Sequence, residues 1–142
     1  MTFLSEMISD LCSLSTSSED YLRLIKDLVG KYQSKMFYIN EYSLRISRFD
    51  DTEYKNKYDS LKLWKNICNR YHIKLKVIGE IQHFFSHGIP LLILVCSDGK
   101  IYGYDLEHLH IVANSFNQFI TKGVIYPSKV YYDFHKGMVS AH

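Results

Sequence analysis

What this chain lacks narrows the field before any motif is considered. It has three cysteines, Cys12, Cys68 and Cys96, odd in number, far apart and never spaced as CxxC. Each sits in an apolar pattern, which predicts reduced core thiols and neither a disulfide framework nor a zinc clip. The seven glycines are scattered, so the clustered glycines that cradle a phosphate or dinucleotide are missing. No GxSxG elbow and no closely paired carboxylates occur. No apolar run approaches the roughly 18 residues of a membrane span, and the N-terminus lacks the basic start and apolar stretch of a signal peptide. These absences predict an intracellular protein, cytoplasmic or nuclear, without a membrane partner. Charge imbalance is small too: 17 Lys and Arg against 15 Asp and Glu give a net +2. The basic residues are spread along the chain, so nucleic acid is disfavoured as a partner.

What the chain has in quantity is aromatic surface. Twelve Tyr and eight Phe stand against one Trp, 15% of the sequence. Tyrosine buries area while keeping a polar tip, which suits half-exposed strands and protein interfaces alike; an AT-rich coding sequence would favour the same residue. At 142 residues one domain is expected, able to bury roughly 70% of its unfolded surface.

Periodicity divides the chain. Leu4, Met7, Ile8 and Leu11 repeat at helical spacing, and a serine-rich break follows. Ser17 or Ser18 is placed to cap a second helix carrying Tyr21, Leu24, Ile25, Leu28 and Val29, with Gly30 as its stop. Residues 36–49 change to a strand period, most clearly at Leu44-Arg45-Ile46-Ser47. A third helix is predicted through about Tyr71, its apolar face holding Tyr54, Tyr58, Leu61, Trp64, Ile67, Cys68 and Tyr71. Ile73 to Val77 alternates apolar residues with Lys, as an edge strand does. Phe84 to Gly88 reads as a loop. Leu91 to Cys96 is continuously apolar, as a central buried strand is. Asp98-Gly99 then signals a hairpin returning through Ile101-Tyr102-Gly103-Tyr104. From Leu106 to Lys122 the residues Leu109, Val112, Phe116, Phe119 and Ile120 fall at helical intervals, ending at Gly123.

Few groupings carry chemistry. His83 and His87 have HxxxH spacing, but Gly88-Ile89-Pro90 follows at once, and no Glu stands second in the pentapeptide as a zinc hydrolase requires. Asp105, His108 and His110 lie close together without a third His or Cys ligand. Cys68 and Cys96 occupy apolar settings that make a thiol inert. Lys55, Lys57, Lys62, Lys65, Arg70, Lys74 and Lys76 would form a basic patch, or equally the solvated side of a helix and strand, the preferred reading. The chain is therefore expected to be no enzyme, with no metal and no cofactor. Phe84 and Phe85, adjacent in a loop, are hard to place in a core; with His87 they are the candidate protein-binding residues.

From Ile78 to Gly123 the order of residues is itself a pattern. Gly99, Ile101, Tyr102, Tyr104 and Asp105 are followed by Ile111, Val112, Ala113, Asn114, Ser115, Phe116, Phe119, Ile120 and Gly123. This resembles the SUKH superfamily, and within it the viral branch of herpesviruses and poxviruses, the unique-short twenty-two family. The resemblance implies an α+β fold, a mainly antiparallel sheet flanked by helices. It implies a single SUKH-like domain over 1–142, with 124–142 an edge strand or a tail. Gly99, Tyr102, Tyr104, Asp105, Ala113, Phe116, Phe119 and Gly123 are its structural positions. Relatives serve as protein-binding scaffolds: bacterial ones neutralise toxins, viral ones engage host defence, cell-death or translation-control proteins. The chain departs from the pattern in having room for one module where herpesvirus members often carry two, and in having Asn114 where an acidic residue is expected. The leading expectation is a viral accessory protein that binds and antagonises a host defence or cell-death protein. Two alternatives stand beside it, a bacterial SUKH-type immunity protein, whose basic nuclease targets fit poorly with a net charge of +2, and an RNA-binding antagonist of host sensing.

Overall fold

The apolar strand Leu91-Leu92-Ile93-Leu94-Val95-Cys96 can bury both of its faces only if something covers each, and the rest of the chain is arranged around that requirement. The computed structural model describes residues 21–39, 42–56, 58–82, 90–126, 128–133 and 137–140. The expected first helix, Ser17 and Ser18, and the loop with Phe84, Phe85 and His87 lie outside these residues, as does His83. In chain order the elements are α1 (Tyr21–Lys31), β1 (Met36–Ile39), β2 (Tyr42–Ile46), α2 (Tyr58–Tyr71), β3 (Leu75–Ile81), β4 (Leu91–Cys96), β5 (Ile101–Tyr104), β6 (Leu109–Ala113), α3 (Phe116–Lys122), β7 (Val130–Asp133) and β8 (Gly137–Ser140). A short 3-10 turn, Phe49–Asp51, precedes α2. The eight strands form one sheet in the order in which they occur, every pair antiparallel. The fold is thus α+β, an antiparallel sheet flanked by helices.

The alternation of β4 makes two cores. Leu91, Ile93 and Val95 face α1 and α3, joined by Ile25 and Val29 of α1 and by Phe116 and Phe119 of α3. Leu92, Leu94 and Cys96 face α2, where Trp64 and Ile67 meet Tyr54, Tyr102, Tyr104 and Tyr132. This second face is where the tyrosines collect. Tyr102 stacks on Tyr132 at 5.7 Å, and Trp64 stands edge-on to Tyr104 at 5.0 Å and to Phe49 at 5.7 Å. Among the described residues, most of the aromatic side chains are therefore core. Tyr54, placed by sequence on the third helix, lies ahead of it; its buried hydroxyl donates toward Pro90 O (2.7 Å), with Tyr104 O at 3.0 Å.

Three expectations need correction. Gly30 does not stop α1, which runs on to Lys31. The chain turns at Ser34 instead, with φ 68°, and Gly30 leaves room for Arg48, whose Nη2 lies 3.0 Å from where a Cβ would stand. The strand beginning near Ile73 is no edge: β3 lies between β2 and β4. The predicted helix from Leu106 to Lys122 is two elements, the strand β6 followed by the seven-residue α3. Its helical spacing misled because β6 is covered on both faces, so its apolar residues do not alternate cleanly. The turn before it also carries no glycine: Leu106 itself adopts φ 78°, within the four residues between the paired Tyr104 and Leu109, a conformation for which sequence rules look for Gly or Asn. The hairpin at Asp98-Gly99 forms as expected, with Gly99 at φ 89°, and the C-terminal segment supplies two strands, β7 and β8.

Candidate interaction site

The motif residues resolve into scaffold. Tyr102 and Tyr104 share the α2 face of β5 and are fully buried. Ala113 ends β6 opposite Ile101. Phe116 and Phe119 seat α3, and Gly123 closes it with φ 82° and an N–H donated to Phe119 O. Asp105, where β5 turns into β6, is the motif's one carboxylate, and four donors converge on it. Glu107 N–H (3.0 Å) and His108 N–H (2.8 Å) donate to Oδ1; Tyr126 O–H (2.6 Å) donates to Oδ2, and His110 Nε2 lies 3.0 Å from Oδ2. Burial by itself raises this carboxyl, but the bonds from His110, His108, Tyr126 and Glu107 outweigh it and hold it well below the usual aspartate range. His110 Nδ1 accepts from Ser128 N–H at 3.2 Å, which puts the ring proton on Nε2, facing Asp105.

The Asp105, His108 and His110 grouping is thus brought together, but as an Asx turn and a buried pair. Among the described residues no three His, Cys, Asp or Glu side chains are placed to hold a metal. Burial pushes the Cys96 thiol up to about 12 and raises Cys68 as well, so both are far from the thiolate form.

Two depressions of the described surface gather charged side chains. The larger, about 570 Å³, is lined by Met36, Arg45, Thr52, Glu53, Glu80 and Gln82 among others. Its strongest charges are already committed. Glu80, 1% exposed, pairs with Arg45 at 2.6 Å and accepts Glu53 N–H, while Arg45 also donates to Asp51 O. The smaller, about 300 Å³, sits where α1, the 3-10 turn, α2 and the start of β3 meet. Lys26, Arg48 and Lys76 line it together with Val29, Leu75, Val77, Leu94 and Trp64. Sequence reasoning grouped Lys76 with the lysines of the third helix; the fold groups it with Lys26 and Arg48. No local signal joins these three, because each comes from a different element.

Comparison with known proteins adds three findings. Residues 18–131 match the family described as US22 like. Over 105 residues the chain is 27% identical to the uncharacterized gene 87 protein of Gallid herpesvirus 2 (strain Chicken/Md5/ATCC VR-987), covering 70% of this chain and 59% of that protein. The chain therefore spans a little under three fifths of that relative's length. No solved structure matches. With the family match running from α1 into β7, well over half of its length, the chain belongs to the US22-like family.

Proposed function

We propose that this chain is a non-enzymatic protein-interaction domain, a viral accessory protein that binds and antagonises a host defence or cell-death protein inside the cell. The observation that carries this reading is the closure of Asp105. The one carboxylate in the family pattern is filled by four donors from its own fold, as a scaffold residue should be and a proton-transfer residue should not. The herpesvirus relative supports a viral setting. The antiparallel sheet with flanking helices fits the wider SUKH relationship, whose members present such a sheet to protein partners.

The test is affinity purification of the tagged full chain from virus-infected cells, with and without nuclease. A small set of host proteins retained after nuclease supports the reading. Loss of all association on nuclease treatment points instead to RNA and overturns it. Repeating the capture with Phe84→Ala and Phe85→Ala tests the loop residues; an unchanged partner set removes them from the interface.

A further inference from the structure

Among the described residues, β2 leaves one corner of the sheet uncovered. It pairs with β3 only from Gly79 to Ile81, and the chain then departs through Ser47 and Arg48. Leu75, Lys76 and Val77 consequently have a strand partner on the β4 side alone among the described residues. The 300 Å³ pocket opens at this corner, with a floor of Val29, Leu75, Val77 and Leu94 and a wall of Trp64. Its size is at the low end of the range of about 300–1,000 Å³ typical of small ligand sites.

The rim is out of balance electrically. Lys26, Arg48 and Lys76 face one carboxylate, Asp50, so three positive charges meet one negative. None of the three cations has a hydrogen bond or ion pair among the described residues. Converging like charges beside an apolar surface raise the energy of the unoccupied site, and a bound anion relieves it. Lys76 registers that environment: burial first, then the charges of Lys26 and Arg48, hold its ammonium below the usual lysine value. Gly30 contributes by its missing Cβ, which lets the Arg48 guanidinium lie against α1.

We propose that this pocket docks an acidic segment of a partner protein, placing a carboxylate among Lys26, Arg48 and Lys76 and a neighbouring apolar side chain against Leu61 and Leu75, the accessible part of its apolar lining. The inference rests on the protein-interaction reading above and names the partner's chemistry. A nucleic acid fits less well. Base recognition on a single strand needs an open aromatic face, whereas Trp64 is 6% exposed, with Phe49 and Tyr104 set edge-on to it. A free phosphate would leave the apolar floor unused.

The single tryptophan lines the pocket and reports on it. The full chain is titrated with the capped peptide Leu-Glu-Glu-Leu while Trp64 emission is followed, with Leu-Gln-Gln-Leu, inorganic phosphate and oligouridylate as comparators and calorimetry as a second readout. Saturable binding of the acidic peptide is expected, with the Gln peptide weaker by about tenfold or more, since a desolvated charge-assisted contact carries at least that much. The Lys26→Gln/Arg48→Gln double variant, altered only at exposed side chains, should keep its melting temperature and lose that binding. Equal affinity for both peptides, no binding of the acidic one by either readout, or oligouridylate as the only ligand overturns the proposal. Host-protein capture with the same double variant separates the two readings. A host protein still held by the variant refutes the pocket and leaves the interaction domain standing; failure of the unaltered chain to hold any refutes the domain reading itself.

Discussion

Asp105 shows how much one side chain can hold in place. Its two oxygens tie the β5–β6 turn to His110 on β6 and to Tyr126 beyond α3. Asp105→Ala leaves these donors facing a hole, and each buried group left unsatisfied costs about 1–3 kcal/mol; urea denaturation should show that loss. The pH dependence follows from the direction of the shift. The folded carboxyl titrates below its unfolded value, so its contribution is whole above about pH 4 and falls away as pH drops below the ordinary aspartate value of about 3.9. Asp105→Asn should flatten the acid limb of the stability curve. The tyrosines govern the opposite limb. Burial raises Tyr54, Tyr102 and Tyr132 above the usual phenol value. Their contribution is therefore present below about pH 10 and lost as pH rises past it. Absorbance titration should find these phenols silent until the chain unfolds, and Tyr54→Phe, which frees two buried carbonyls from their donor, should cost about 1–2 kcal/mol.

At the scale of elements, the segments most legible in the sequence are those whose burial and turn chemistry agree. Leu91 to Cys96 and Ile101 to Tyr104 form β4 and β5 to the residue, because a continuous apolar run and an Asp-Gly turn point the same way. The stretch from Leu106 to Lys122 was illegible for the opposite reason: Leu106 holds a positive φ that its side chain disfavours, so the turn that starts β6 has no glycine to announce it. A usable signal lay further on. Ser115 caps α3 by accepting Gln118 N–H, and the Gln118 side chain reaches back to Asn114 N–H, a capping-box arrangement written in Ser115 and Gln118. Ser115→Ala should lower stability by about 1 kcal/mol. The pocket lay deeper still beyond sequence reading, since Lys26, Arg48 and Lys76 meet only once α1, the start of the 3-10 turn and β3 have packed. The β2–β3 junction has its own requirement. A Cβ on Gly79 would stand 2.2 Å from Arg45 O on the neighbouring strand, and backbone cannot swing aside as a side chain can. Gly79→Ala should therefore cost about 3 kcal/mol or prise β2 from β3. Gly30→Ala meets only the mobile tip of Arg48 and gains helix propensity; it should be neutral or stabilising by up to about 1 kcal/mol in thermal unfolding.

Across the whole molecule, a sheet whose strands are neighbours in both sequence and space should lose its structure from the outside inward. β4 and β5 have a strand on each side, and their residues are buried throughout. Among the described residues, β1 at one edge is paired only to β2 and shows Tyr38 to solvent at 69% exposure, and β8 at the other is paired only to β7. Opening β1 uncovers Phe37 and Ile39 of one core alone, whereas opening β4 exposes both cores at once. Native-state hydrogen exchange should therefore grade the amides by position: those of β4 and β5 exchange only through global unfolding, and those of β1 and β8 through smaller local openings. Denaturant separates the cases, because global opening responds steeply to urea and edge fraying scarcely at all. Edge amides as slow and as urea-sensitive as those of β4 would mean that the two cores and both edges open as one unit, and that partners covering β1 or β8 are not needed to hold them.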